Sequence, residues 1–146
     1  MKSFVAILFL ALFVSCSSNE EDFSSENELE ILAYIAKHKL NATKTSSGLY
    51  YVITDPGSGS KPTENATVTV NYIGKFTDDK IFEQRKNVTF NLQGVIPGWK
   101  EGLTYFNEDA QGLLLIPSHL GYGANGTNGI PGGSVLVFNI HLLKIN

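Results

Sequence analysis

Trp99, the only tryptophan in the chain, stands two residues after Pro97 in the run Val95-Ile96-Pro97-Gly98-Trp99. Proline restricts the backbone at that corner, so the indole opens the short amphipathic segment Trp99-Lys100-Glu101-Gly102-Leu103 from a constrained position. Other rings recur along the chain: Tyr72 before Ile73-Gly74, Phe82 before Glu83, Tyr122 between two glycines, and Phe138 after Leu136-Val137. Such rings carry no nucleophile. They can exclude water, stack on an apolar ring of a guest and, through a tyrosine hydroxyl, donate one hydrogen bond. On residue types alone they could also be the ordinary core of a small β domain. The glycines beside Tyr72 and Tyr122 suit an open rim better than a closed core and favour a pocket.

Other chemistries find little support. His38, His119 and His141 are isolated and lack metal-ligand spacing. Neither a Gly-x-Ser-x-Gly elbow nor a phosphate-binding loop occurs. No metal or cofactor is expected. A formal net charge of −3 leaves no basic patch, so nucleic acid is not an expected partner.

The first residues have a different character. Lys2 precedes an unbroken apolar run over residues 4–14, too short to span a bilayer but suited to the apolar segment of a secretory signal. The run closes on Val14-Ser15-Cys16, and Cys16 is the only cysteine. A lone thiol forms no internal disulfide, which leaves a free thiol, a nucleophile or a lipid attachment point. A nucleophile needs a fixed base, and a polar tail supplies none. The junction resembles a bacterial lipobox, with Phe13 where such boxes usually carry leucine. That resemblance implies a signal peptide over residues 1–15 and acylation of Cys16, and two or more acyl chains suffice for stable anchoring. Residues 16–25 read as a flexible acidic tether, similar to the export tags of Bacteroidetes surface lipoproteins. The expected location is the outer membrane, on its periplasmic or outward face. The Asn-x-Thr tripeptides at Asn41, Asn65 and Asn87 carry little meaning behind a bacterial leader.

The elements that would position the rings follow from pattern. Residues 26–41 read as a helix, with Ser25 as N-cap, Glu28 completing a capping box, and Lys37, His38 and Lys39 at the end. Leu29, Leu32, Ala33, Ala36 and Leu40 share one face by helical spacing. That stripe must be buried on the following domain or on a second copy; at about four turns, docking in cis and a monomer are expected. Residues 48–146 form the main domain. Residues 48–53 make a strand, and residues 67–72 alternate with Val68, Val70 and Tyr72 inward. Val88, Phe90 and Leu92 alternate up to the Pro97 corner. Residues 99–106 are the one helix of the domain, with Trp99, Leu103 and Phe106 on one face. A short strand follows at 113–116, then a glycine-rich loop over 120–133. A last strand carries Leu136, Phe138, Ile140 and Leu142 on one face, opposite Val135, Val137, Asn139 and His141. The expected fold is α+β: an antiparallel sheet wrapped around one short helix, preceded by an N-terminal helix.

In chain order, Val70-Asn71-Tyr72-Ile73-Gly74, Lys80-Ile81-Phe82-Glu83, Val95-Ile96-Pro97-Gly98-Trp99, Gly121-Tyr122-Gly123 and Leu136-Val137-Phe138 resemble the FKBP-type peptidyl-prolyl cis-trans isomerases over residues 48–146. The resemblance implies a dry pocket for a proline ring. Trp99 would be its floor, Tyr72, Phe82 and Phe138 its walls, Val95 and Ile96 its rim, and Ile130 its cover. The Ile96 N–H and the Tyr122 hydroxyl would donate to substrate carbonyls. Glu83 stands where relatives usually carry aspartate, often bonded to the pocket tyrosine; the extra methylene predicts reduced but detectable activity. Leu120 and Gly132-Gly133 also depart from the family pattern and soften that wall.

The implied chemistry is non-covalent. Rotation about an X-Pro bond faces a barrier of about 20 kcal/mol, set by amide resonance. A site that binds the twisted amide better than the planar one lowers it. Expected partners are proline-containing segments of exported or envelope proteins and macrolides of the FK506 type. Two other readings use the same residues: a non-catalytic polypeptide-binding module of an envelope complex, and a structural domain whose pocket is filled by its own side chains.

Overall fold

The structure, a computed structural model, describes residues 22–146. The expected signal segment 1–15, the lipid site Cys16 and most of the tether lie outside the described residues. Six strands form one antiparallel sheet in the order β1-β2-β5-β6-β3-β4: β1 Thr43–Lys44, β2 Tyr50–Asp55, β3 Thr67–Lys75, β4 Ile81–Asn91, β5 Gln111–Ile116 and β6 Leu136–Ile145. The alternation that predicts β3 holds along its length, with Val68, Val70 and Tyr72 buried on one face. On β6, Leu142, Ile140 and Phe138 lie opposite Val70, Tyr72 and Gly74, and all three are buried as expected.

The outer strand β4 is irregular, and the irregularity aims side chains. Its pairing with β3 shifts register between Gly74 and Lys75 and again between Val70 and Tyr72. At the second shift Asn87 takes a positive φ of 53° and its N–H donates to the Asn71 side chain at 2.8 Å. Bulges of this kind re-aim side chains and sharpen strand twist. Glu83 and Arg85 come opposite Gly74 and Tyr72, and Val88 and Phe90 opposite Val70 and Val68.

A short helix, α2 (Pro97–Gly102), starts on Pro97, whose missing N–H costs nothing in a first turn. It tightens into a 3₁₀ turn over Leu103–Tyr105, so the expected helix over 99–106 is part α, part 3₁₀. Two glycines let it lie flat on β5. A Cβ on Gly98 would come within 2.5 Å of Ile116, and one on Gly102 within 2.6 Å of Leu114. Trp99, Leu103 and Phe106 are all buried between helix and sheet.

The N-terminal helix α1 (Ser24–His38) packs on the opposite face of the sheet. Ile31 and Tyr34 meet Tyr50, Val52, Leu113, Leu115, Val135 and Val137, so the middle of β5 is buried on both faces. The docking is in cis, but through a different stripe from the expected one. Leu29 and Leu32 are 69% and 44% exposed, whereas Asn27, Ile31 and Tyr34 are buried. Polar ties select that orientation. The Tyr50 hydroxyl and Lys44 donate to Glu28 at 2.5 and 2.9 Å, and Lys37 and the Tyr34 hydroxyl donate to Asp79 at 3.1 and 3.2 Å. The helix also starts earlier than expected. Phe23 is its N-cap, with no side-chain cap bond, and Asp22 takes the Ser24 N–H at 2.9 Å, so Ser25 lies inside the helix. Lys39, at φ 52°, closes it before residue 41.

Candidate functional site: a ring-walled cavity

A cavity of about 550 Å³ opens where β3, β4, β6 and α2 converge. Tyr72 comes from β3, Phe138 from β6, and Glu83, Arg85, Val88, Thr89 and Phe90 from β4. Gly94, Val95 and Ile96 form the approach to α2, which contributes Trp99, and Tyr122 reaches in from the glycine-rich loop. Three rings stand edge-on to the indole: Tyr72 at 5.0 Å and 86°, Phe138 at 5.2 Å and 88°, Phe90 at 5.8 Å and 84°. Edge-to-face geometry suits the ring quadrupoles and holds Trp99 in one orientation. The indole is only 4% exposed, and its Nε1 is buried with no hydrogen-bond partner among the described residues.

Of the expected site residues, the structure brings Tyr72, Glu83, Val95, Ile96, Trp99, Tyr122 and Phe138 to the lining. Phe82 is not among them. It stands behind Phe138, edge-on at 5.7 Å and 87°, and against Phe76 at 5.0 Å. The space it fills exists because residue 74 is glycine; a Cβ there would lie 2.6 Å from the Phe82 ring. Phe82 therefore packs behind Phe138 in the ring cluster that forms the wall. Ile130 is also buried in the core without reaching the lining. Phe90 and Arg85 are wall residues that sequence reasoning missed. The alternation of Val88, Phe90 and Leu92 marks Phe90 as inward; Arg85 faces the cavity only because of the register shift beside it.

The polar groups are few. Burial first, and then the Glu83 carboxylate beside it, push the Tyr72 hydroxyl well above the usual tyrosine range, so it stays protonated at neutral pH. Glu83 also pairs with Arg85, Oε1 to Nε at 3.3 Å, in a partly exposed position where such a pair adds little stability. The longer side chain thus lies close to both groups. The Ile96 C=O accepts the Trp99 and Lys100 N–H groups at 3.0 and 3.1 Å, while its own N–H has no partner among the described residues. Among the described residues no cluster of three or more His, Cys, Asp or Glu side chains could hold a metal ion. The arrangement can bind an apolar ring in a dry cup and offer hydrogen bonds at the mouth.

The family model described as FKBP-type peptidyl-prolyl cis-trans isomerase matches residues 58–143. The FKBP-type peptidyl-prolyl cis-trans isomerase FkpA of Escherichia coli is 39% identical over 137 residues, covering 90% of this chain and 51% of that protein. The crystal structure of Escherichia coli FkpA superposes with a TM-score of 0.76 at 36% identity, covering 84% of this chain and 61% of the other. A peptidyl-prolyl cis-trans isomerase from Pseudomonas syringae gives 0.73 at 31% identity, covering 84% of this chain and 96% of its own. The chain spans about half the length of the curated relatives it matches. With the family model matched over residues 58–143 and the fold matched at more than 30% identity, this chain belongs to the FKBP-type peptidyl-prolyl cis-trans isomerase family.

Proposed function

We propose that the protein accelerates rotation about X-Pro bonds in exported or envelope polypeptides, and that the cup around Trp99 is where it does so. One observation carries the reading: perpendicular rings fix an indole at the base of an open cavity, and an unpaired backbone donor, the Ile96 N–H, stands at its rim. A pyrrolidine ring entering the cup loses its water, which penalises the charge-separated planar amide more than the twisted one. The Ile96 N–H and the Tyr122 hydroxyl then hold the flanking carbonyls while the bond turns. An acceleration of about 10⁵ requires roughly 7 kcal/mol of preference for the twisted form. No covalent step is needed. The chemistry of the cup also fits macrolides of the FK506 type.

The same proposal places the protein in the bacterial envelope, lipid-anchored at Cys16 and acting as a monomer; the Val14-Ser15-Cys16 junction supports the anchor. Labelling of the chain by fatty acid, lost in Cys16→Ser, is the expected outcome, and protease shaving of intact cells reports the membrane face. The central test is an NMR exchange assay on a proline tetrapeptide with and without FK506. Accelerated exchange that the macrolide abolishes is expected; exchange no faster than in buffer overturns the reading.

A further inference from the structure

The N-terminal helix reaches the loop that carries Tyr122 through one side chain that the proposed mechanism does not use. Asn27 is 1% exposed, although it lies in the first turns of a surface helix where a polar amide ordinarily meets water. Both ends of its amide are occupied by backbone from far along the chain. Its Oδ1 accepts the Ser118 N–H at 2.7 Å, and its Nδ2 donates to the Gly133 C=O at 2.9 Å. Ser118 and Gly133 bracket the glycine-rich loop that carries Tyr122.

The loop continues the same circuit. The Gly123 N–H donates to the Ser118 C=O at 2.8 Å, and the Gly133 N–H donates to the Gly123 C=O at 2.9 Å. Asn27, Ser118, Gly123 and Gly133 therefore close a ring of four hydrogen bonds, and Tyr122 is the residue next to one of its corners. Tyr122 itself is 39% exposed at the cavity mouth, so its placement depends on how its backbone is held. The Phe23 ring covers the same joint. A Cβ on Gly133, whose φ is 73°, would fall 2.6 Å from it.

We infer that Asn27 is a positioning residue: it locks both ends of the 118–133 loop and so sets where the Tyr122 hydroxyl stands over the cavity. A side chain without the amide leaves two buried backbone groups unpaired. The loop then has to open toward water to satisfy them, and Tyr122 moves with it. The kinetic consequence rests on the isomerase reading; the joint itself does not.

The test uses the full chain as wild type, Asn27→Ala, Tyr122→Phe and the double variant. Amide hydrogen exchange is followed across 118–133 and β3, together with kcat/KM on a proline tetrapeptide. In Asn27→Ala, exchange at Gly123 and Gly133 speeds up by about tenfold or more, as a local opening does, while β3 keeps its protection. Its kcat/KM falls by about tenfold, in line with the sensitivity of rates to small misplacement, and this loss disappears in the Tyr122→Phe background. Should Asn27→Ala fail to fold, Gly133→Ala strains the same joint against Phe23 and gives the same pattern. Unchanged loop exchange, or an equal loss of kcat/KM with and without the Tyr122 hydroxyl, overturns the inference. An inactive wild type would remove the isomerase reading alone, and the exchange comparison would then decide the positioning role.

Discussion

Replacing Trp99 with leucine separates a floor that touches a guest from a core residue that never does. The indole is almost fully buried, so the substitution has a stability cost that must be worked out first. It removes three edge-on contacts, each worth about 0.5–1.5 kcal/mol beyond area, and leaves part of the indole's volume empty. Nε1 has no partner among the described residues, so none of their hydrogen bonds is broken. The sum is about 2–5 kcal/mol, which a domain in the middle of the usual stability range of about 5–15 kcal/mol survives. On the guest side, full burial of an apolar group is worth about 1.5–3 kcal/mol. Leucine keeps roughly half of that contact, so kcat/KM should fall by about tenfold, or 1.4 kcal/mol. Urea denaturation gives the first number, and NMR exchange on a proline tetrapeptide, at a temperature where both proteins are fully folded, gives the second. A variant that loses stability yet keeps kcat/KM within about twofold would show that the indole is only core, and the mechanism drawn from it would fail.

Three further outcomes follow from named contacts. Glu83→Asp keeps the charge beside Tyr72 but draws it back from Arg85; kcat/KM rises a few-fold, the scale of one improved hydrogen bond, and an unchanged value shows that residue 83 has no part in the site. Gly74→Ala would place a Cβ 2.6 Å from Phe82 and 2.8 Å from Phe138. Phe138 is pinned against Trp99, so the rings are driven toward the cavity, stability falls by about 1–3 kcal/mol, and FK506 binds more weakly; the fluorescence of the sole tryptophan reports both changes. Asp79 is held at a pKa of about 2, first by the Lys37 hydrogen bond and then by Lys75. A depressed carboxylate contributes stability above its unfolded pKa and loses it as pH falls through about 2. The stability difference between wild type and Asp79→Asn is therefore present at neutral pH and closes in acid, and a difference that stays constant with pH excludes this role. Asparagine tolerates the positive φ of 68° at this turn, so the variant isolates the charge.

Two strands, β3 and β6, were legible because their buried side chains alternate over several residues. Val68, Val70 and Tyr72 in β3, and Phe138, Ile140 and Leu142 in β6, alternate without exception, and the register brings Tyr72 and Phe138 to one cavity. What the pattern hides is set by partners distant in sequence. Residues 24–38 are apolar on more than one side, and local spacing favours Leu29, Leu32, Ala33 and Ala36. The buried side is chosen instead by Glu28, Asn27 and Tyr34 finding Lys44, Gly133 and Asp79. Arg85 was missed for a related reason. Alternation assumes a regular ladder, and each register shift in β4 changes which side chains face the cavity. Ile130 lies in a loop whose path no period describes, and it is buried in the cluster that also holds Tyr72, Trp99 and Phe138.

The broken ladder of β4 has a consequence beyond the cavity. It is the last strand of the sheet, and its own side chains line the cavity, so a row of open backbone groups lies beside the cavity. A long flat border there would invite a sister molecule to add itself as another strand and seed a fibril. Twisting at two points, with Arg85 and Lys86 exposed at the second, denies such an addition a straight run. The kinks that aim the walls thus also guard an open sheet edge against pairing with another copy.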